Sequence, residues 1–235
     1  MIPLRDDQPC FSTPFINYFL IALNVLVFLF ELSVGFQSKG QLNALIFQFG
    51  VVPRIEVGLL TGTPTFAPLA ALVPVLTSMF LHASWPHIIG NMWVLWIFGD
   101  NIEDHLGHFR YLVFYLLSGM AASFAHIVLN SSSRIPSVGA SGAIAGVMGA
   151  YFVLYPRARV LVWFPPIFLF HIPAWLMLGY WFFSQFVSGA ATSIAETTQS
   201  SGGIAFWAHV GGFVAGILMI KLFPERPQRY RYGAW

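Results

Sequence analysis

The chain is short of charge. Of its 235 residues, 9% are Asp, Glu, Lys or Arg, where a soluble domain carries about 25%. Eleven basic and nine acidic side chains give a formal net charge of +2. That is too few to cover a water-soluble fold of this length, and too weak a field to hold a polyanion. The balance argues against a soluble enzyme, a disordered chain and a nucleic-acid binder. Cysteine is nearly missing as well. Cys10 stands alone, which excludes an intramolecular disulfide framework and a cysteine-based metal site. No His-Glu-x-x-His zinc motif occurs, and no pair of mid-membrane aspartates is available for an aspartyl mechanism. Internal repeats and low-complexity segments are not evident.

What is present is apolar. Hydrophobic residues make up 57% and aromatics 17%, with 24 Phe and 8 Trp. Uncharged stretches run over 8–30, 57–99, 111–133, 135–156, 160–195 and 197–220. A membrane helix needs about 20 mostly apolar residues. The pattern predicts an all-α membrane protein, a bundle of six transmembrane helices over 15–36, 84–103, 109–129, 140–156, 160–185 and 204–223. Residues 1–14 and 224–235 are expected to be short tails around a membrane domain at 15–223, the second tail basic and aromatic. The first span is too long and too weakly basic at its start for a cleaved signal peptide. The long connection 37–83 is apolar but interrupted by Pro64, Pro68 and Pro74, so it is expected in the interface or part way into the bilayer. Pro165, Pro166 and Pro173 predict a bent fifth helix, either a mobile lipid-facing wall or a static kink.

Six spans put both termini on one side. That side holds Arg5, Arg110, Arg157, Arg159, Lys221, Arg226, Arg229 and Arg231, against Lys39, Arg54 and Arg134 on the other. The excess predicts a multi-pass protein of the cell membrane with both termini cytoplasmic.

Polar groups inside a bilayer cost free energy unless partnered, and so mark function. Three clusters stand out. His82, His87 and Asn91 flank and enter the second span, with His87 and Asn91 four apart on one face. Gly139, Ser141 and Gly142 open the fourth. His209 enters the sixth, followed by Gly212 and Gly216. Ser is common at helix starts, and a lone buried His is often satisfied by a carbonyl, so each cluster is weak alone. Spacing joins them. Ser141, Ala145 and Gly149 form one small-residue ridge, and Ala208, Gly212 and Gly216 another, which lets two helix backbones approach. Packed together, the ridges bring Ser141 and His209 in from the same side. Serine is a poor nucleophile until a base takes its proton, and acyl transfer needs oxyanion donors. His87, Asn91 and the Ser141 N–H are the groups at similar depth.

These residues resemble the rhomboid family of intramembrane serine proteases. The resemblance covers about residues 77–222 and rests on His82-x4-His87-x3-Asn91, Gly139-x-Ser141-Gly142 and Ala208-His209-x2-Gly212-x3-Gly216, in the family's order. It implies a Ser–His dyad with Ser141 as nucleophile and His209 as general base and then acid. His87 and Asn91 would serve the oxyanion hole. His82 would be supportive, Gly139 would allow close backbone approach, Gly142 and Gly212 would serve helix contact, and Glu103 would be a structural tie. Neither metal nor cofactor is implied. The implied partners are the lipid bilayer and transmembrane protein substrates, entering between the second and fifth spans and unwound at the cut, with a small residue before it. The polar stretch His82–Ser84 is a plausible water route.

Two features depart from the family pattern. No Trp occurs between 37 and 84, so the first outer loop lacks a Trp-Arg pair, and Arg54 has no such neighbour. Ala145 stands four residues after Ser141, where some members have a Tyr against the catalytic His. Two rival readings are an inactive rhomboid-like protein that binds membrane clients, and a transporter using buried histidines. His105, His108 and His126 read as structural or interfacial. His171, beside Pro173, reads as a satisfied polar contact with gating as the alternative.

Overall fold

A computed structural model describes residues 1–61, 67–194 and 205–226. The basic tail from 227 onward, Pro64 and the start of the sixth predicted span at 204 lie outside the described residues.

The chain is mostly helical. Strand β1 (Ile2–Arg5) precedes α1 (Phe15–Gln37), α2 (Lys39–Phe49), α3 (Pro53–Thr61), α4 (Ala67–Thr77) and a 3-10 turn at Ser78–Phe80. Then come α5 (Trp85–Leu106), α6 (His108–Leu129), α7 (Ser141–Leu154), the strands β2 (Arg159–Phe164) and β3 (Phe168–Pro173), α8 (Ala174–Ile194) and α9 (Phe206–Met219). Each predicted span has a helix in its range. By length and composition, however, only α1 and α6 among the described residues are apolar enough to cross a bilayer, with a third if 72–80 and α5, bent by 88°, count as one. Helices α7 and α9 have 14 residues each, or about 21 Å, short of a hydrocarbon core of about 30 Å. Helix α8 is long enough at 21 residues but carries Ser184, Gln185, Ser188, Thr192 and Ser193.

The all-α expectation is corrected. The fold is not purely helical, and the predicted fifth helix begins at Ala174 rather than 160. Its first part is a β-hairpin, Arg159 facing Pro173 and Phe164 facing Phe168. Pro165 and Pro166 remove the amide donors a helix would need. The β-branched and aromatic residues on either side suit a pleated surface, and Val160 and Val162 alternate into the core at 0% exposure. The N-terminal tail supplies β1 as the third strand, antiparallel to β2. Asp6 accepts a hydrogen bond from the Tyr151 hydroxyl, Asp7 from the Arg159 N–H at 2.8 Å, and the Pro3 carbonyl from the Trp93 indole at 2.6 Å. Burial raises the Asp6 carboxyl above its usual range, and the Tyr151 hydrogen bond acts against that rise. His171 lies on β3 opposite Leu161, exposed rather than satisfied inside a helix.

The centre of the fold is the contact of α6, α7 and α9. A Cβ on Gly212 would collide with the Gly142 carbonyl oxygen, and one on Gly216 with that of Gly146. A Cβ on Gly149 would meet the Phe213 carbonyl. The α9 ridge is therefore the expected one, while the α7 ridge runs through Gly142, Gly146 and Gly149, sharing Gly149 with that read in the sequence but with Gly142 and Gly146 in place of Ser141 and Ala145. On the α6 side, Ala122 blocks a Cβ at Gly142, and Ser118 blocks one at Gly146.

Helix α1 is tied to this centre by buried polar contacts. Glu103, fully buried, accepts from the Ile16 N–H at 2.9 Å and the Asn17 N–H at 2.7 Å. It also pairs with His108 Nδ1. These are N–H groups that a helix start leaves without partners, and a carboxylate suits that end of the helix dipole. The Asn17 amide donates to the Leu95 carbonyl at 3.1 Å and accepts from the Tyr111 hydroxyl at 2.7 Å. Outside, large apolar side chains are exposed, among them Phe30, Trp96, Phe124 and Phe183, as lipid contact requires.

Candidate active site

Helix starts deliver most of the site. Ser84 caps α5, its hydroxyl accepting from the His87 N–H at 3.4 Å, and Pro86 follows in the first turn. His87 and Asn91 then lie one turn apart. Gly139, at φ +130°, occupies backbone space that side-chain-bearing residues rarely adopt. A Cβ there would sit 2.6 Å from His87 Nε2 and 3.7 Å from Asn91 Nδ2, so glycine is needed for the loop to pass these side chains. The Gly139 N–H donates to the Ser78 carbonyl at 2.8 Å. Ser141 is the first residue of α7, where the backbone N–H has no acceptor within the helix.

The connection over 37–83 holds this loop without a Trp-Arg pair. Val51 and Ser137 exchange backbone hydrogen bonds at 3.0 and 2.7 Å, and the Arg54 N–H donates to the Ser133 carbonyl at 3.0 Å.

Ser141 and His209 meet across the glycine seam, the hydroxyl 2.8 Å from His209 Nε2. The other ring nitrogen, Nδ1, lies 2.7 Å from Gln185 Oε1 on α8. Trp181, one turn earlier on the same helix, has its ring centroid 5.7 Å from that of His209 at a tilt of 35°. Two aromatic and amide groups of α8 thus flank the imidazole on the side where Ala145 offers no ring.

The remaining named residues form a second layer. His82 is buried at 2% exposure, deeper than its place before the helix suggested. Its Nδ1 lies 3.3 Å from the Phe80 carbonyl and its Nε2 3.0 Å from Asn91 Nδ2. Those partners fix the tautomer, with Nδ1–H donating to the carbonyl and Nε2 accepting from the Asn91 amide. One Asn91 N–H is thereby used, and among the described residues the other has no partner and is available to the cavity that Asn91 lines. The His82 N–H donates to the buried Glu31 carboxylate at 3.0 Å. His82 and His87 rings approach edge on, with centroids 5.1 Å apart.

His87, Asn91, Gly139, Ser141, Gly142 and His209 all line one cavity of roughly 710 Å³. Its mouth includes Ala83, Ser84 and Pro86, and its walls include Ser123 and His126 of α6 and Trp181 of α8. Since His82 is enclosed, the polar entrance reduces to Ser84 and its neighbours. Gly212 sits at the seam behind the Ser141–His209 contact, against Gly142. Among the described residues, no cluster of His, Cys, Asp and Glu is arranged to hold a metal ion.

Two contributors escaped the sequence reading, Gln185 and Glu31. The signal for both was the same as for His209, a polar side chain in an apolar helix. Gln185 stands four residues after Trp181, on one face with it.

The family model described as the Rhomboid domain matches residues 70–226. Curated relatives include the mouse presenilin-associated rhomboid-like protein, mitochondrial, 31% identical over 189 residues, covering 76% of this chain and 45% of that protein. Yeast rhomboid protein 1, mitochondrial, is 31% identical over 150 residues, 62% of this chain and 40% of its own. Arabidopsis rhomboid-like protein 11, chloroplastic, is 27% identical over 159 residues, 64% of this chain and 52% of its own. The chain spans about half the length of these proteins, or less.

Proposed function

The chain belongs to the rhomboid family, and from that premise we propose that it is an intramembrane serine endopeptidase acting through a Ser141–His209 dyad. The observation that carries the reading is the 2.8 Å approach of Ser141 Oγ to His209 Nε2 within a polar cavity. In acylation, His209 Nε2 takes the hydroxyl proton as Ser141 Oγ bonds to the scissile carbonyl carbon. The negative oxygen is met by the Ser141 N–H, the free Asn91 N–H and His87. His209 then returns the proton to the departing amine as the C–N bond breaks. Water, entering past Ser84, repeats the sequence on the acyl-enzyme. His82 holds Asn91 in its donating orientation, and Gly139, Gly142 and Gly212 let loop and helices close on the site.

Substrates are transmembrane segments of other membrane proteins, admitted from lipid between α5 and α8, each of which contributes a side chain, His87 and Trp181, to the lining of the cavity. The bond to be cut must leave helical geometry, because a helical carbonyl is hydrogen-bonded and shielded. The six helices α1, α5, α6, α7, α8 and α9 form the membrane domain. The start of α1 and the end of α9 are read as facing the Lys/Arg-rich side, which is the cytoplasmic side if the membrane is the cell membrane. The relatives named above belong to mitochondria and chloroplasts, so the same domain serves organellar membranes too.

The deciding experiment is cleavage of a transmembrane reporter in liposomes. Ser141→Ala and His209→Ala are each expected to lower the rate by about 10⁴-fold or more, and Ser141→Ala to abolish labelling by a fluorophosphonate. Undiminished cleavage by Ser141→Ala overturns the mechanism. A folded wild-type protein that neither cleaves nor labels is instead a client-binding relative.

A further inference from the structure

We propose that Gln185 is a positioning residue for the catalytic base, completing a Ser141–His209–Gln185 line in which a neutral amide stands where other serine hydrolases use a carboxylate. The inference rests on the dyad reading above and deepens it.

The chain of donors and acceptors has one consistent direction. The Ser184 hydroxyl donates to the Trp181 carbonyl at 2.6 Å. Its oxygen is then the acceptor for Gln185 Nε2, 3.2 Å away. That contact fixes which end of the amide faces His209: Oε1, at 2.7 Å from Nδ1. An amide oxygen only accepts, so Nδ1 carries the proton. Nε2 is left with its lone pair toward the Ser141 hydroxyl at 2.8 Å, the tautomer a general base needs. Among the described residues, Gln185 is the side chain hydrogen-bonded to Nδ1 and Ser141 the one hydrogen-bonded to Nε2.

The same bond gains strength during the reaction. When Nε2 takes the Ser141 proton, the imidazolium charge spreads to Nδ1–H, and a hydrogen bond from a charged donor is stronger than one from a neutral ring. Gln185 therefore favours the transition state over the resting enzyme. Since Gln185 belongs to α8 while Ser141 and His209 belong to the glycine seam, the base is correctly poised only while α8 is seated against α9.

The test compares Gln185→Leu, which keeps the volume and loses the acceptor, with Gln185→Glu, which keeps an acceptor at the same reach. Phe183→Leu, on the exposed face of α8, is the control for general disturbance of the helix. Gln185→Leu is expected to lower kcat by about 10- to 100-fold with KM little changed, the range for a hydrogen bond to a charged group. Fluorophosphonate labelling should slow in parallel. Gln185→Glu should recover most of the loss. Nitrogen-15 resonances of His209, assigned by difference from His209→Ala, should show Nδ1 protonated in the parent and mixed tautomers in Gln185→Leu.

Unchanged kcat and labelling in Gln185→Leu overturn the proposal. So does an equal loss in both Gln185 variants with the His209 resonances unmoved, which marks a packing role. Absence of cleavage and labelling in the parent protein defeats the dyad reading instead, and the tautomer difference then still decides whether Gln185 holds His209.

Discussion

The two sides of the imidazole are built by different means. Behind His209, α7 and α9 meet backbone against backbone, with carbonyl oxygens of Gly142 and Gly146 lying where Cβ atoms of Gly212 and Gly216 would be, and the small side chains Ala122 and Ser118 of α6 close the third side. In front of it, α8 leans on α9 through side chains, Phe182 stacked on Phe213 at a centroid distance of 4.8 Å. Its other face is bare, with Trp175, Tyr180, Phe183 and Phe186 exposed. At its start α8 is joined to a hairpin whose tip, Ile167 to Phe170, is also exposed. The seam has no slack, because backbone cannot change rotamer. The α8 contact has slack, because aromatic side chains do. On the function proposed above, holding a nucleophile and base rigidly while admitting a helix from lipid calls for both kinds of packing side by side.

The largest effect is expected where the seam is violated away from the chemistry. Gly216 lies about two turns beyond His209, and an added methyl meets the Gly146 carbonyl oxygen, carbonyl carbon and Cα. Gly216→Ala must drive the helices apart, at a cost of about 3 kcal/mol. Thermal unfolding in detergent should show it as a large fall in Tm, with cleavage lost together with fold. An unchanged Tm contradicts a rigid seam.

An intermediate effect is expected at Glu103. Its carboxylate satisfies two N–H groups at the start of α1 and pairs with His108. Gln in its place keeps one acceptor oxygen but ends the charge-assisted bonds, a loss of about 2 kcal/mol. The same melting measurement reports it. The comparison also sharpens the role of α1, which depends on a few polar ties rather than on interlocked backbone. Cleavage per folded molecule should be retained.

How much of this was legible beforehand follows from which forces leave marks in sequence. Apolar runs of span length locate α1 and α6 closely, because lipid exposure demands continuous hydrophobicity. The positions of Ser141, His209, His87 and Asn91 stand out because polar groups are rare there, and the cavity gathers all four. The hairpin did not stand out. Val160 to Phe164 and Phe168 to Ile172 are as apolar as a helix, and only Pro165-Pro166 between them, with the burial of Val160 and Val162, distinguishes two strands from a bend. The first two positions of the α7 ridge were misplaced by one residue because Ser141, Gly142, Ala143, Ala145 and Gly146 are all small, and small residues alone do not say which face meets a neighbour. Gln185 was missed because its partner is 24 positions away on another helix, a contact that no spacing rule encodes.

The smallest effect is expected from the same substitution made on the looser side. Gly179 lies in α8, and the nearest atom to an added methyl is Phe152 Cε2 at 3.8 Å, an ordinary contact. Nothing there has to move. Alanine also restricts the unfolded chain and favours the helix over glycine by about 0.5–1 kcal/mol. Gly179→Ala should therefore raise Tm slightly, in the opposite sense to Gly216→Ala. A less pliable α8 should also seat more firmly on α9, so the cleavage rate of a lipid-embedded substrate should fall modestly while fluorophosphonate labelling, which needs no helix to enter, stays level. If both alanine variants lose stability to the same degree, the packing on the two sides of His209 does not differ as described. If Gly179→Ala slows labelling as much as cleavage, α8 governs the dyad itself rather than the way in.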